Sequence, residues 1–149
     1  MDSSHITTRR DGALLYIAIN RPAKRNGFTP QMARDLAQAY SLLESDADLR
    51  VGVLHAEGGH FTAGLDLPSW AESMQRGESP WPADSIDPLD LREPRRSKPV
   101  VAAVQGICFT LGIELMLAAD IVIAAEDCRF SQLEVQRGIM ATGGATLRM

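Results

Sequence analysis

Four short apolar runs alternate with helical or turn-rich segments, and this alternation is what most restricts the folds open to the chain. The runs have the length and the apolar or β-branched composition of strands, and they cover residues 13–19, 51–55, 99–105 and 121–125. After the first run, Thr29 and Pro30 supply an N-cap and a first-turn proline. Apolar residues then recur at helical spacing: Met32, Leu36, Ala39, Tyr40 and Leu43. The sequence therefore predicts one domain of the α/β or α+β class.

The overall charge and the cysteines exclude several kinds of partner. The 149 residues carry a formal net charge of -4, which gives no basic surface for nucleic acid or an anionic membrane. Cys108 and Cys128 lack C-x-x-C spacing, so we do not expect a disulfide scaffold. The N-terminal residues lack the apolar stretch of a signal peptide, and no apolar run is long enough for a membrane helix. We expect a soluble, cytoplasmic protein.

A proline-rich stretch separates the second strand from the third. Six of the eight prolines lie between Pro68 and Pro99, mixed with charged and small residues. Such a composition is typical of a long connection without regular structure. We predict a flexible loop over residues 68–98, of the kind that often forms a lid.

Glu114 is the residue whose position is hardest to explain by folding alone. The segment 111–119 is apolar on every side apart from this glutamate, which predicts a helix buried around its whole circumference. A glutamate there loses its hydration unless it pairs with an arginine or reaches a surface edge, and both alternatives stay open. A desolvated carboxyl group has a raised pKa, as a general acid or base requires. Glu134 taken alone is most simply a solvated surface residue.

Two glycine-bounded turns are candidates for binding negative charge. Residues 61–66 follow a strand and crowd small residues, so their backbone N–H groups can approach a ligand closely. Residues 106–112 lead into the buried helix, whose N-terminal N–H groups and dipole favour developing negative charge. A plain turn is the simpler interpretation of each. Together, two such turns could form an oxyanion hole.

Other catalytic motifs are absent from the sequence or poorly matched. Leu65 and Asp66 stand where a phosphate loop requires Lys followed by Ser or Thr. There is no G-x-S-x-G elbow and no G-x-G-x-x-G fingerprint, and the three histidines and two cysteines have no recognised zinc spacing. We therefore predict no metal site.

Four segments together resemble the crotonase, or enoyl-CoA hydratase/isomerase, family. They are Asn20-Arg21-Pro22 with Asn26, and residues 61–67, 105–120 and 130–148. F-x-A-G-x-D, then G-x-E-L-x-L-A-A-D, then a strand with Q-x-E is the specific part of the pattern. The resemblance implies an α/β, crotonase-like (ClpP/crotonase) fold, a ββα superhelix, with residues 1–149 as its N-terminal catalytic domain. Family chains are longer, so it also implies that the C-terminal helical trimerisation region is absent and the domain incomplete.

The resemblance further implies an acyl-CoA thioester ligand and a role for each matching residue. The two hydratase glutamates fall on Glu114 and Glu134, which are 134 − 114 = 20 positions apart. The oxyanion donors fall on the backbone N–H groups of Leu65 and Leu111. The family's substrate and CoA contacts are expected at Lys24, Arg25, Ala63, Gly64, Asp66 and Gly112. The implied reaction is reversible addition of water to a 2-enoyl-CoA, with no metal or redox cofactor, since coenzyme A is part of the substrate.

The chain also departs from the family's pattern. Thr110-Leu111-Gly112 stands where three consecutive glycines are typical, and Ala141 and Thr142 replace a proline and a glycine. These changes leave the acyl-chain preference open. An enoyl-CoA isomerase is the alternative within enzymes, and a non-catalytic module that binds acyl-CoA or assembles with a longer partner is the alternative of another class. The family implies a homotrimer or hexamer if its full architecture is present.

Overall fold

The fold is built on a five-stranded sheet, seen in a computed structural model that describes residues 5–78 and 81–149. The sheet has the order β1-β2-β3-β4-β6, in which the first pair is antiparallel and the other pairs are parallel. Its strands are β1 (Ile6–Asp11), β2 (Leu14–Ile19), β3 (Val51–Ala56), β4 (Val100–Val104) and β6 (Ile121–Ala124). A small parallel sheet pairs β5 (Ile107–Phe109) with β7 (Arg129–Ser131). Parallel strands joined by helices confirm the predicted α/β class.

Helix α1 (Pro30–Ser45) covers one face of the large sheet. Its N-cap is the predicted one, because the Thr29 hydroxyl accepts a hydrogen bond from the Met32 N–H at 3.2 Å. The apolar residues at helical spacing are buried in the core together with alternate residues of β2 and β3, such as Ile17 and Leu54. The other residues of β3 are half-buried, as expected for a strand with one face on the core. The sequence pattern thus placed this layer correctly.

The stretch 68–98 is more ordered than its prolines suggest. Helix α2 (Leu67–Gln75) occupies its first part, with the Asp66 carboxylate capping the helix and a proline in the first turn. The prediction of a loop there was wrong, because Asp66 and Pro68 are a helix start signal. Residues 79 and 80 lie outside the described part of the chain. The remainder has no regular element among the described residues, yet Ile86 and Leu89 are buried in the core.

Three short elements complete the architecture around the catalytic candidates. Helix α3 (Leu111–Ala118) is buried on most sides, as predicted, and β6 follows it at the edge of the sheet. A 3-10 helix (Leu133–Arg137) and the short helix α4 (Ala145–Arg148) come after β7. Strand β6 is exposed along its length, with Ile121 58% and Ile123 62% exposed. The sequence of β6 therefore predicts a strand, but it does not predict that the strand is exposed.

Two further observations bear on the expected setting of the protein. Both cysteines are free thiols. Among the described residues, no helix combines the length and the apolar character that crossing a bilayer requires.

Candidate active site

The carboxylate of Glu114 lies inside the molecule, on the first turn of α3. The residue is only 5% exposed. It does not reach a surface edge, and none of the ion pairs among the described residues includes it. Both structural explanations that the sequence left open are thus removed. A buried glutamate that belongs to none of the ion pairs of the described residues is the arrangement that a general acid or base needs.

A turn just before α4 covers this carboxylate. The Ala145 N–H donates to Glu114 Oε1 at 3.5 Å. Gly143 packs directly against the carboxyl group, since a Cβ added there would come within 2.5 Å of Glu114 Cδ. The position must be glycine for the carboxylate to keep its place. No local pattern in the sequence indicates this contact, because it joins residues far apart in the chain.

Opposing influences act on the acidity of Glu114. Burial is the largest and raises the pKa of the carboxyl group above its usual value. Hydrogen bonds from the backbone of Ala145 and Gly143, together with the charge of Arg148, act in the lowering direction. The negative charge of Glu134 adds to the raising influence. The balance leaves Glu114 with a raised pKa.

Glu134 lies within the range over which its charge raises the pKa of Glu114. It sits in the 3-10 helix Leu133–Arg137, and its Oε2 atom is buried without a hydrogen-bond partner among the described residues. The side-chain amide of Gln132 is likewise buried without a partner. Unpartnered buried polar atoms are costly, and they concentrate where a ligand is bound. Gln132 was not singled out in the sequence, where its only signal was the Q-x-E pattern.

The two glycine-bounded turns lie side by side, as the oxyanion hypothesis requires. The Thr62 N–H donates to the Ile107 carbonyl at 3.0 Å, and the Phe109 N–H donates to the Thr62 carbonyl at 3.0 Å. These bonds align the start of the first turn with β5, which lies within the second glycine-bounded segment, residues 106–112. Among the described residues, no hydrogen bond uses the backbone N–H of Leu65 or of Leu111. Both predicted donors thus lack an acceptor among the described residues.

The basic residues expected to contact CoA lie beside the first turn. Lys24 ends a 3-10 helix (Pro22–Lys24), and Arg25 follows in the left-handed region with φ of 49°. The Arg25 carbonyl accepts a hydrogen bond from the Ala63 N–H at 3.0 Å. Both basic side chains are exposed. The structure therefore places a positive patch at the edge of the candidate site.

Two of the predicted CoA contacts have clear structural tasks. Asp66 pairs with Arg21 at 2.7 Å and caps α2, and the hydrogen bond from Arg21 is the main cause that holds the pKa of Asp66 below its usual range. Gly112 is buried, and a Cβ there would come within 2.6 Å of Thr62 Cγ2. Both residues hold the turns in place, which explains their identities without a ligand contact.

No cluster of three or more histidine, cysteine, aspartate or glutamate side chains with metal-binding geometry occurs in the described part of the chain. A concave area of about 540 Å³ lies elsewhere, on the open face of the large sheet, lined by residues that include Arg9, Tyr16 and His55. None of its lining residues belongs to the candidate site around Glu114 and Glu134.

Comparisons with known proteins identify the family to which the chain belongs. The family described as enoyl-CoA hydratase/isomerase matches residues 9–149. A probable enoyl-CoA hydratase/isomerase of Mycobacterium abscessus, whose crystal structure is known, is 52% identical with a TM-score of 0.92 over 99% of this chain and 57% of its own. Its fold establishes the crotonase architecture.

Two curated relatives agree with that structure. An enoyl-CoA hydratase of Mycobacterium tuberculosis is 34% identical over 94% of this chain and 53% of its own length. A mevalonyl-coenzyme A hydratase of Beauveria bassiana is 34% identical over 91% of this chain and 51% of its own length. The chain belongs to the enoyl-CoA hydratase/isomerase family. It spans about half the length of the curated relatives it matches.

Proposed function

We propose that this chain carries the catalytic groups of an enoyl-CoA hydratase, which adds water reversibly to the double bond of a 2-enoyl-CoA thioester. The observation that carries the proposal is the buried Glu114, without an ion-pair partner among the described residues and with Glu134 beside it. Relatives whose names include hydratase activity support the class of reaction. The acyl-CoA ligand follows from the same family.

In the proposed mechanism, the two glutamates share one water molecule. Glu114, in its ionised form, would take a proton from the water as the water oxygen attacks C3. Glu134, in its protonated form, would bind the same water and give its own proton to C2, so one carboxyl group gains a proton as the other loses one. The unpartnered Oε2 atom of Glu134 supports this role, since it is an acceptor still free to bind the water.

The backbone N–H groups of Leu65 and Leu111 would stabilise the charge that develops on the thioester oxygen. Addition of water to C3 passes through an enolate-like state, and preorganised donors stabilise such charge without having to reorient. Leu111 is the first residue of α3, so the helix dipole acts in the same direction. The reaction moves a hydroxyl group and a proton, and therefore needs no redox cofactor.

The test is the loss of the ultraviolet absorbance of a conjugated enoyl thioester when crotonyl-CoA is mixed with the purified chain. Glu114→Gln and Glu134→Gln are each expected to lower kcat by at least about 100-fold, the magnitude typical of losing a general acid or base. Glu126→Gln is the matched control, because Glu126 is exposed and lies outside the site. Wild-type rates in both glutamate variants would contradict the proposal.

An enoyl-CoA isomerase is the second candidate, favoured by the family description and by the name of the Mycobacterium abscessus structure. One well-placed glutamate can move a proton between two carbon atoms without adding water. Incubation in H2(18)O with a 2-enoyl-CoA and, separately, with a 3-enoyl-CoA separates the two reactions. A hydratase converts the 2-enoyl-CoA into a labelled 3-hydroxyacyl product and leaves the unconjugated 3-enoyl-CoA unchanged, whereas an isomerase converts the 3-enoyl-CoA into an unlabelled 2-enoyl-CoA.

We also propose that the chain associates with other copies of itself. The support is the exposed apolar strand β6, since contiguous exposed apolar surface usually marks an interaction site. Intact mass spectrometry together with light scattering would measure both the length and the oligomeric size of the purified protein. A monodisperse monomer at micromolar concentration would contradict this part.

A further inference from the structure

Thr110 has a backbone conformation that belongs to glycine. Its φ is 48° and its ψ is -113°, close to the first central position of a type II′ turn. A β-branched residue with positive φ is a true outlier, because its Cβ crowds the backbone. The neighbouring elements hold this conformation: the Thr110 N–H donates to the Ser131 carbonyl at 3.0 Å, and its own carbonyl accepts from the Ile113 N–H at 2.9 Å. The strain is thus maintained by β7 and α3 together.

The side chain of Thr110 is just as unusual. Its hydroxyl oxygen is buried and has no hydrogen-bond partner among the described residues. A hydroxyl in that state destabilises the fold, and alanine or glycine would avoid the cost. Residues kept in spite of strain and an unsatisfied polar group concentrate at functional sites.

The contact partner of this hydroxyl is Gly64, in the other turn. A Cβ at Gly64 would overlap Thr110 Oγ1, and it would also come within 3.4 Å of Thr110 Cβ. The hydrogen on the Gly64 α-carbon therefore points at the hydroxyl oxygen, in the manner of a weak Cα–H···O contact. Gly64 itself has φ of +98°, so glycine is required there for two reasons.

The position of this contact gives it a consequence for catalysis. Gly64 directly precedes Leu65, and Thr110 directly precedes Leu111, so each residue in contact is bonded to one of the two proposed N–H donors. A change in the distance between Gly64 and Thr110 moves the donors relative to each other. An oxygen atom fits against the α-carbon, whereas the larger methyl group of valine would push the turns apart.

We propose that Thr110 is a positioning residue: its hydroxyl oxygen packs against the α-carbon of Gly64 and thereby sets the separation of the two oxyanion donors. The inference rests on the proposed function for its catalytic meaning, because it concerns the geometry of the same site. The hydroxyl acts through the backbone and does not touch the substrate. The size and the position of the hydroxyl oxygen are what matter for this role.

Three substitutions separate the size of the group from its polarity. Thr110→Ser keeps the oxygen and is expected to keep kcat within about 3-fold of wild type. Thr110→Val exchanges the hydroxyl for a methyl group and is expected to lower kcat about 10- to 100-fold with a smaller change in KM, because misplaced donors weaken transition-state binding. Thr110→Gly relieves the backbone strain but removes the spacer, and a similar loss of kcat is expected. Thr8→Val, at an exposed strand position, is the control.

A spectroscopic readout reports on the donors directly. The 13C resonance of the carbonyl carbon in bound [1-13C]butyryl-CoA moves downfield when two N–H groups polarise the carbonyl. Wild type and Thr110→Ser are expected to show the same downfield shift, and Thr110→Val a smaller one. A Thr110→Val protein with wild-type kcat and an unchanged carbonyl shift would overturn the inference.

A ligand-free measurement keeps the two proposals separate. Gly64→Ala is expected to lower the urea midpoint of unfolding much more when residue 110 is threonine than in the Thr110→Gly background, because the overlap with Oγ1 is gone in the latter. Equal losses in the two backgrounds would contradict the inference whether or not the chain is active. A wild-type chain that neither binds nor converts acyl-CoA, but shows the unequal losses, would contradict the proposed function and leave the contact established.

Discussion

The α-carbon of Gly143 lies directly against the carboxyl group of Glu114, although the two residues belong to different elements. An added Cβ would come within 2.5 Å of Glu114 Cδ and within 2.9 Å of its Oε1 atom. The main chain before α4 is thus packed against this carboxylate. Burial raises the pKa of Glu114, whereas the backbone hydrogen bonds from Gly143 and Ala145 act in the lowering direction.

We therefore expect Gly143→Ala to displace Glu114 and to impair catalysis more than folding. Crowding a packed interior with one methyl group costs about 1–3 kcal/mol of unfolding free energy. A displaced general base costs more in rate, so kcat for hydration should fall by about 100-fold. Urea unfolding and the enoyl-thioester assay measure the two effects. Gly59→Ala is the control, since no atom lies within 4 Å of the added group, and equal effects at both positions would contradict the prediction.

The raised pKa of Glu114 has a consequence for stability against pH. A carboxyl group whose pKa is higher in the folded state binds more protons when folded, so its contribution to stability falls as pH rises from the ordinary glutamate value through the raised one. Above that window the ionised, buried carboxylate is a constant penalty. Glu114→Gln removes it.

We accordingly expect Glu114→Gln to be more stable than wild type at pH 8, and the difference to shrink as the pH is lowered toward 4.5. Urea unfolding of both proteins across this range measures the difference directly, and other titrating groups largely cancel. Glu126→Gln should show no such trend, because that side chain is exposed. If the difference in stability between the two proteins stays constant with pH, burial does not raise the pKa of Glu114.

The ion pair between Asp66 and Arg21 makes stability depend on pH in the opposite direction. The hydrogen bond from Arg21 lowers the pKa of Asp66, so its stabilising contribution is present above the ordinary aspartate value and is lost as pH falls through the lowered one. Asp66→Ala also removes the cap of α2, which costs about 1 kcal/mol. We expect the variant to lose stability at pH 7 but much less at pH 3. Calorimetric melting at the two pH values tests this, with Asp127→Asn as the exposed control.

Local patterns in the sequence predicted the elements whose signals are local. The Thr29 cap, the proline after it and the spacing of apolar residues defined α1, and four of the five large-sheet strands followed from apolar runs. Strand β1 was missed because five of its six residues are exposed and polar, so it has no apolar run. Strands β5 and β7 are three residues long, too short for any periodicity.

The residues of the candidate site also fall into two groups: those that a local pattern reveals and those that only the tertiary structure reveals. Glu114 could be singled out because a charge inside an apolar helix conflicts with its surroundings, and that conflict is visible in a single segment. Glu134 lies half-buried in a short 3-10 helix whose own sequence does not mark it, so only the tertiary fold, or the family pattern, relates it to Glu114. The role of Gly143 and the unpartnered hydroxyl of Thr110 depend on contacts between distant segments. The replacement of a glycine by Thr110 was visible, but its meaning required the position of Gly64.

The two basic residues beside the first turn are expected to contribute to CoA binding. Lys24 and Arg25 are exposed next to the turn that contains the proposed donor Leu65, and phosphate groups of CoA would be attracted there. We expect the double variant Lys24→Ala/Arg25→Ala to weaken acyl-CoA binding by about 10-fold, since each exposed charge pair contributes up to about 1 kcal/mol. The effect should appear in KM, with kcat nearly unchanged, because both residues lie away from the reacting carbons.

Isothermal titration at two salt concentrations measures the loss of acyl-CoA affinity, and this loss should be smaller at high salt because the attraction is screened. Arg50→Ala removes an exposed charge elsewhere and should bind like wild type. If the double variant matches that control at low salt, the phosphates are held by other residues.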